Sequence, residues 1–326
     1  MLVKAYEPAM TTETAEPFVY LRGQFLPLSA ATLDVRTHAF LYGTAVFEGI
    51  KAYWAPEREA MFIFRAEEHF RRLQQSCRIV RLHCPLSVAR MVELSAELIA
   101  RNGCREDTYL RPIVYKADTR IGPILEIPGT KDDFLLFTVP MSGYLDTQKG
   151  LHLCVSSWRR LDDNMIPARA KVNGAYVNTA LAKTDAALAG FDDAIVLTED
   201  GHVAEGSAMN LFLVRDGKLI TPTTTSNILE GITRATVIEL AQKELGLTVE
   251  ARTVDRTELY IADEVFLCGT ATELAPVTRI DHRPIGEGTI GPITRQLYEL
   301  FGRAIRAQLP DYLHWLTPVP SAVASR

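Results

Sequence analysis

The sequence predicts an α+β fold in two domains, and three observations lead there. Strand-like and helix-like segments are mixed without the strict alternation of a βαβ protein. The length of 326 residues suits two domains, or one large one, with ample apolar content for a core. A stretch of turn-forming and polar residues from Pro140 to Gly150 separates an earlier series of elements from a later one. The expected division is therefore a smaller domain over 1–139, a connecting loop over 140–150 and a larger domain over 151–326.

Each element has its own signal. Phe18 to Leu21 and Phe25 to Leu28, joined through Arg22-Gly23-Gln24, predict a hairpin. Ala60 to Phe64 predicts a strand that runs into a helix over 67–80, with Phe70, Leu73 and Cys77 on its inner stripe. A second helix is expected over 85–101, stopped by Asn102-Gly103. Thr108 to Lys116 and Phe134 to Val139 predict strands. The Gly- and Pro-containing loop between them, 117–131, is expected either to be disordered or to fold against something, often a partner subunit. Beyond the connecting loop, strands are expected over 151–157, 194–197, 208–214 and 264–268. Helices are expected over 176–189, 232–245 (closed by Gly246) and 292–308, and the last ten or so residues, ending PVPSAVASR, are expected to fray.

Composition narrows the function. A hydrophobic fraction of 47% and a charged fraction of 23% are those of an ordinary globular protein. The net charge of −5 and the lack of any basic block argue against nucleic acid, and the pairs Arg71-Arg72 and Arg159-Arg160 read as solvated faces. No apolar run reaches membrane-spanning length, and the acid- and Thr-containing N-terminus does not read as a signal peptide, so a cytoplasmic location is expected. Five scattered cysteines without CxxC spacing predict reduced thiols, and seven histidines without paired spacing predict no metal site.

The chemistry concentrates in two segments. Ala170-Lys171-Val172-Asn173-Gly174-Ala175-Tyr176 sets one lysine beside a turn of small residues. Val203-Ala204-Glu205-Gly206 places a carboxylate 34 residues later between apolar runs. A lysine to condense with an aldehyde and a carboxylate to keep a ring nitrogen protonated are what pyridoxal 5′-phosphate requires. Three further places suit its phosphate. Leu229-Glu230-Gly231-Ile232-Thr233-Arg234 opens a helix, Cys268-Gly269-Thr270-Ala271 ends a strand in a turn of small residues, and Phe64-Arg65 ends a strand in an arginine. Taken singly, these are also a plain helix cap, an ordinary β-turn and a surface ion pair.

Taken together with His38 to Ile50 and Tyr109-Leu110-Arg111-Pro112, these segments resemble the branched-chain amino acid aminotransferases of the fold-type IV family, from about Phe18 to Arg295. The resemblance implies a small N-terminal α/β domain and a larger, cofactor-binding pseudo-barrel domain. It implies that Lys171 bonds the cofactor and shuttles a proton, that Glu205 pairs with the pyridine nitrogen, and that Tyr176 meets the phenolic oxygen. Arg65, Gly231, Ile232, Thr233, Gly269 and Thr270 would surround the phosphate, with Leu229 on the ring face. For the substrate it implies Arg111 and Tyr42 at a distal carboxylate, and Tyr109, Thr270 and Ala271 at the α-carboxylate. Phe47, Gly49, Tyr42 and Tyr144 would form an apolar pocket. The reaction implied is transfer of the amino group of Leu, Ile or Val to 2-oxoglutarate in a homodimer or higher homo-oligomer, up to a hexamer. The alternatives in the same fold are a D-amino-acid or (R)-amine transaminase and an aminodeoxychorismate lyase. Asn173, where many relatives have glycine, and Met209, where they often have an acid, depart from the family pattern.

Overall fold

The computed structural model describes residues 16–141 and 149–320; Tyr144 and most of the expected connecting loop lie outside them. Among the described residues the chain gathers into two units. One comprises 16–141, 170–174 and 304–320, and the other comprises 149–169 and 175–303. The five residues around Lys171 thus count with the N-terminal elements, although they lie far along the chain.

The first unit is built on a sheet of β1 (Phe18–Leu21), β2 (Gln24–Pro27), β3 (Ala45–Phe47), β4 (Ile50–Ala55), β5 (Ala60–Phe64), β6 (Thr108–Lys116) and β7 (Asp132–Pro140), with the C-terminal strand Leu316–Pro318. The order is C-terminal strand, β5, β4, β6, β7, β1, β2, and β3 also pairs with β6. The β1–β2 hairpin turns through two residues, because Leu21 already pairs with Gln24. Arg22 and Gly23 both have positive φ, 52° and 84°, as a tight hairpin with the strands' own twist requires. Leu316–Pro318 pairs antiparallel with β5, so Thr317 and Pro318 form a strand where fraying was expected to begin.

Three helices belong to this unit: α1 (His38–Tyr42), α2 (Ala66–Ile79) and α3 (Val88–Arg101). Helix α3 begins three residues later than expected because Ser87 caps it, its Oγ accepting from the Arg90 amide at 3.2 Å. Phe70, Leu73 and Cys77 of α2 and Met91, Leu94, Leu98 and Ile99 of α3 are buried with Ile50, Ile63, Leu110 and Val114 of the sheet. One apolar face of each helix thereby covers one face of the sheet. The loop 117–131 folds onto its own unit. Asp118 O accepts from the His38 amide at 2.8 Å, and the Gly122 amide donates to the Tyr42 hydroxyl at 3.1 Å. At the loop's foot Lys116 Nζ meets Asp132 Oδ1 at 2.6 Å, with both side chains buried.

The second unit contains β8 (Leu151–Arg159), β9 (Asp193–Leu197), β10 (Val203–Gly206), β11 (Asn210–Arg215), β12 (Lys218–Pro222), β13 (Val249–Arg252), β14 (Glu264–Gly269), β15 (Glu273–Ile280) and β16 (Arg283–Pro284). They form a mixed sheet in the order β10, β9, β8, β15, β14, β11, β12, β13, with β16 beside β15. Helix α4 (Tyr176–Leu188) lies on β8 and β9, burying Ala182 and Ala186 against Ala194 and Val196. Helix α5 (Ile232–Lys243) runs beside β13 and β14. Helix α6 (Pro292–Ile305) starts on the buried carboxylate of Glu264, which accepts from the amides of Ile293 (3.0 Å) and Thr294 (2.7 Å) and from the Thr294 hydroxyl (2.6 Å).

Candidate active site

In the first unit, Lys171 is set by its backbone. Its carbonyl accepts from the Phe47 amide at 3.0 Å, its amide donates to Ser76 Oγ at 3.2 Å, and Val172 bridges Val46. The approach is close enough to require glycine. The Gly174 amide donates to Gly43 O at 3.2 Å, Gly43 has φ 68°, and a Cβ on Gly43 would lie 2.9 Å from Gly174 Cα. The lysine Nζ consequently lies 5.0 Å from the centre of the Phe47 ring.

Phe47 has a second cation beside it, the Arg111 guanidinium at 4.3 Å. Arg111 Nη2 donates to the Tyr109 hydroxyl at 2.9 Å, while its buried Nε has no hydrogen-bond partner among the described residues. Gly49 leaves room for that hydroxyl: a Cβ there would lie 2.2 Å from it. Lys171, Phe47, Gly49, Tyr109 and Arg111, expected to act together, are therefore brought together. Tyr42 is engaged elsewhere, with its ring 4.6 Å from that of His38 and its hydroxyl on Gly122 of the loop. Tyr144 lies outside the described residues.

Arg65 caps α2 with a left-handed backbone, φ 48° and ψ 43°, a conformation that costs a non-glycine residue on the order of 1 kcal/mol. The Trp315 carbonyl holds it there by accepting its amide at 2.6 Å. The guanidinium lies 5.1 Å from the Trp315 ring, and its Nε donates to Glu68 Oε1 at 2.9 Å. Between Phe47 and Gly49, Glu48 is buried and accepts from Arg72 Nε (2.7 Å) and Nη2 (2.8 Å) and from His69 Nδ1 (2.8 Å). Burial pushes the Glu48 carboxyl up, but the Arg72 charge and the hydrogen bonds from His69 and Arg72 outweigh it and hold it at about 2. Burial holds His69 below its ordinary range.

In the second unit, Glu205 is the buried centre of a polar cluster. Arg160 Nε meets its Oε1 at 3.1 Å, Asn210 Nδ2 donates to Oε2 at 3.0 Å, and the Leu229 amide lies 3.3 Å from Oε2. Arg160 is thus paired with a buried carboxylate, not the solvated surface residue that its place in an Arg-Arg pair suggested. Asn210 was not anticipated either; the only sequence signal was a polar residue opening an otherwise apolar strand. Asn210 Nδ2 also donates to Leu229 O at 2.9 Å, and Gly231 is required beside it, since a Cβ would lie 2.0 Å from Asn210 Oδ1. Helix α5 then begins at Ile232 with no side-chain cap and no acid in its first turn. Its Thr233 is buried and Leu229 half-buried. Gly269, Thr270 and Ala271 form the half-buried turn between β14 and β15. Tyr176 opens α4. Met209, at one of the two departures noted in the sequence, is buried in this unit's apolar core.

The amino-transferase class IV family model matches residues 45–280. The chain belongs to that family. A probable branched-chain-amino-acid aminotransferase of Aquifex aeolicus is 47% identical over 302 residues, covering 93% of this chain and 96% of that protein. The crystal structure of the branched-chain aminotransferase of the thermophilic archaeon Thermoproteus uzoniensis with norvaline has a TM-score of 0.89 at 38% identity, covering 94% of this chain and all of that one. That of the branched-chain amino acid aminotransferase of Thermobaculum terrenum in its PLP-bound holo-form has a TM-score of 0.89 at 39% identity, with the same coverage. The fold of this class IV aminotransferase is therefore the fold-type IV architecture that its sequence resembles.

Proposed function

We propose that this aminotransferase uses pyridoxal 5′-phosphate to transfer the amino group of branched-chain L-amino acids to 2-oxoglutarate, giving branched-chain 2-oxo acids and L-glutamate. The observation that carries the substrate reading is the wall made by Phe47, Tyr109 and Arg111. An apolar ring suits an aliphatic side chain, and a guanidinium whose buried Nε has no partner among the described residues suits a carboxylate. Such a surface can serve both substrates in alternate half-reactions. Selectivity among Leu, Ile and Val is expected to be weak, since a methylene is worth only about 1–3 kcal/mol.

The residues present fit the cofactor. The uncapped start of the twelve-residue helix α5 offers amides and a positive dipole end to a phosphate, and Ser207 Oγ and Asn173 Oδ1 are buried without partners among the described residues. When bound, the cofactor supplies an electron sink for the substrate's Cα. Lys171 is its covalent anchor and the base that moves the Cα proton. Glu205, oriented by Arg160 and Asn210, would accept the ring N–H and keep it protonated. Tyr176 would meet the phenolic oxygen, and Leu229 the ring face. Arg65, Gly231, Ile232, Thr233, Gly269 and Thr270 would hold the phosphate. On the substrate side, Phe47 and Gly49 would line the aliphatic pocket. Arg111 would take the distal carboxylate, and Tyr109, Thr270 and Ala271 the α-carboxylate.

The chain works as a homodimer or a higher homo-oligomer. Val35 (76% exposed), Phe40 (76%) and Ile121 (85%), with Leu33, Leu41 and Ile124, leave apolar side chains exposed on and beside α1 and the loop it holds, a surface that suits burial against a second copy. A reducing, cytoplasmic setting suits the five free thiols. Among the described residues no helix is long and apolar enough to cross a membrane. Arg111→Ala tests the substrate reading: kcat/KM for 2-oxoglutarate should fall at least about tenfold more than that for leucine, a charge-assisted pair lost against an apolar contact kept. Equal losses for the two would make Arg111 structural.

A further inference from the structure

Helix α2 does more than cover the sheet. Three of its residues, His69, Arg72 and Ser76, are spaced i, i+3, i+7 and share one face. All three are buried, at 1%, 7% and 0% exposure. A polar stripe on an otherwise apolar inner face is costly unless each group has a partner. Here the partners fall in two places, one within the pocket wall and one at the reacting lysine. His69 and Arg72 bind Glu48, which sits between the pocket residues Phe47 and Gly49. Ser76 Oγ accepts the backbone amide of Lys171. The Phe47 amide, donating to Lys171 O at 3.0 Å, ties the two places to each other.

We propose that the buried polar face of α2 is a positioning device for the reaction, with Ser76 setting Lys171 and the Glu48–His69–Arg72 cluster setting the Phe47–Gly49 wall. The inference rests on the reading of Lys171 as the reacting amine. Arg72 forks onto both oxygens of Glu48, which fixes orientation as well as distance. The Ser76 acceptor at the Lys171 amide fixes the height of the residue from which Nζ is projected. These four residues are buried and act through Lys171 and Phe47.

The test is Ser76→Ala in the holoenzyme, with Lys171→Ala and Arg71→Ala alongside. Arg71 lies on the exposed face of the same helix, paired with Glu67 at 2.9 Å. Ser76→Ala should lower kcat by about tenfold to a hundredfold, the scale for small misplacements of a reacting group. It should leave KM for leucine within about threefold and slow the leucine-induced change of the lysine-linked cofactor absorption in step with kcat. Ser76→Thr, which keeps an Oγ, should recover most of the rate, and Arg71→Ala should match the parent. Glu48→Gln reads the same split from the other end of the device, should Ser76→Ala fail to fold. A Ser76→Ala or Glu48→Gln enzyme with a lowered Tm but unchanged kcat and spectral rate would make this face structural and overturn the proposal. Turnover by Lys171→Ala would instead overturn the reading of Lys171 on which it rests.

Discussion

Gly49→Ala is the smallest change that should disable the substrate wall while leaving the fold in place. The added methyl would lie 2.2 Å from the Tyr109 hydroxyl and 2.9 Å from its Cζ, against 3.4 Å for an ordinary contact. The hydroxyl must therefore retreat by about 1.2 Å (3.4 less 2.2), or the β3–β4 turn must move by as much. The turn is resisted by Glu48, whose amide donates to Pro112 O at 3.0 Å and whose carboxylate is clamped by His69 and Arg72. Tyr109 is thus the side that yields, breaking its 2.9 Å bond from Arg111 and freeing the guanidinium that lies over Phe47. A 1 Å misplacement in a catalytic site costs about a hundredfold, and overpacking costs about 1–3 kcal/mol of stability. Steady-state kinetics with leucine and 2-oxoglutarate, beside a thermal melt, should show kcat/KM for both substrates down by about two orders of magnitude with cooperative unfolding retained. An enzyme within twofold of the parent for both substrates would refute the packing argument, because it would mean that Tyr109 accommodates the methyl without loss.

Two further changes probe the support of the site. Asn210→Ala removes a donor to Glu205 and to Leu229 O; kcat should fall about tenfold and cofactor affinity should weaken, as measured by turnover against added pyridoxal phosphate, since loss of one hydrogen bond to a charged group is worth about 1.5–3 kcal/mol. Acid should destabilise the first unit. The Glu48 carboxyl is lowered from 4.5 to about 2 in the folded chain, so its contribution is present above pH 4.5 and is lost as pH falls toward 2. By linkage it amounts to about 3 kcal/mol. His69, also held below its ordinary range, adds a loss that begins as pH falls through about 6.5. Melting curves from pH 7 to 3 should show Tm falling, with the part below pH 4.5 absent in Glu48→Gln; parallel curves for the two proteins would count against this assignment.

The elements that the sequence announced are those whose signal is local. Helix α2 shows its stripe of Phe70, Leu73 and Cys77, and the long β6 and β7 runs are rich in β-branched and aromatic residues. What it did not announce depends on distant partners. Nothing near Arg160 says that its guanidinium meets a carboxylate 45 residues on, and the doublet with Arg159 points the wrong way. Asn210 reads as a strand residue until Gly231 is seen against it. The segment Leu316–Pro318 is short and ends in proline, which reads as a tail; its partner, β5, lies some 250 residues earlier. The loop 117–131, read as either disordered or covered, is held by α1 through His38 and Tyr42, contacts that only a folded chain creates. Within the candidate site, Lys171, Phe47, Gly49, Tyr109 and Arg111 were legible because short motifs carry them. The residues that orient them, Glu48 in the β3–β4 turn and His69, Arg72 and Ser76 on α2, were not, because a lone polar residue in a turn or on a helix gives no sign of whether it is buried.

The central claim, that Lys171 carries both half-reactions on one cofactor, is tested most directly by the absorption of the purified chain loaded with pyridoxal phosphate, followed through addition of L-leucine and then 2-oxoglutarate, with Lys171→Ala beside it. The lysine-linked band of the parent should fall with leucine and return with the oxo acid, and the variant should show neither the band nor turnover. A parent band that ignores leucine but bleaches with D-alanine or an (R)-amine, or a Lys171→Ala enzyme that turns over normally, would contradict the account.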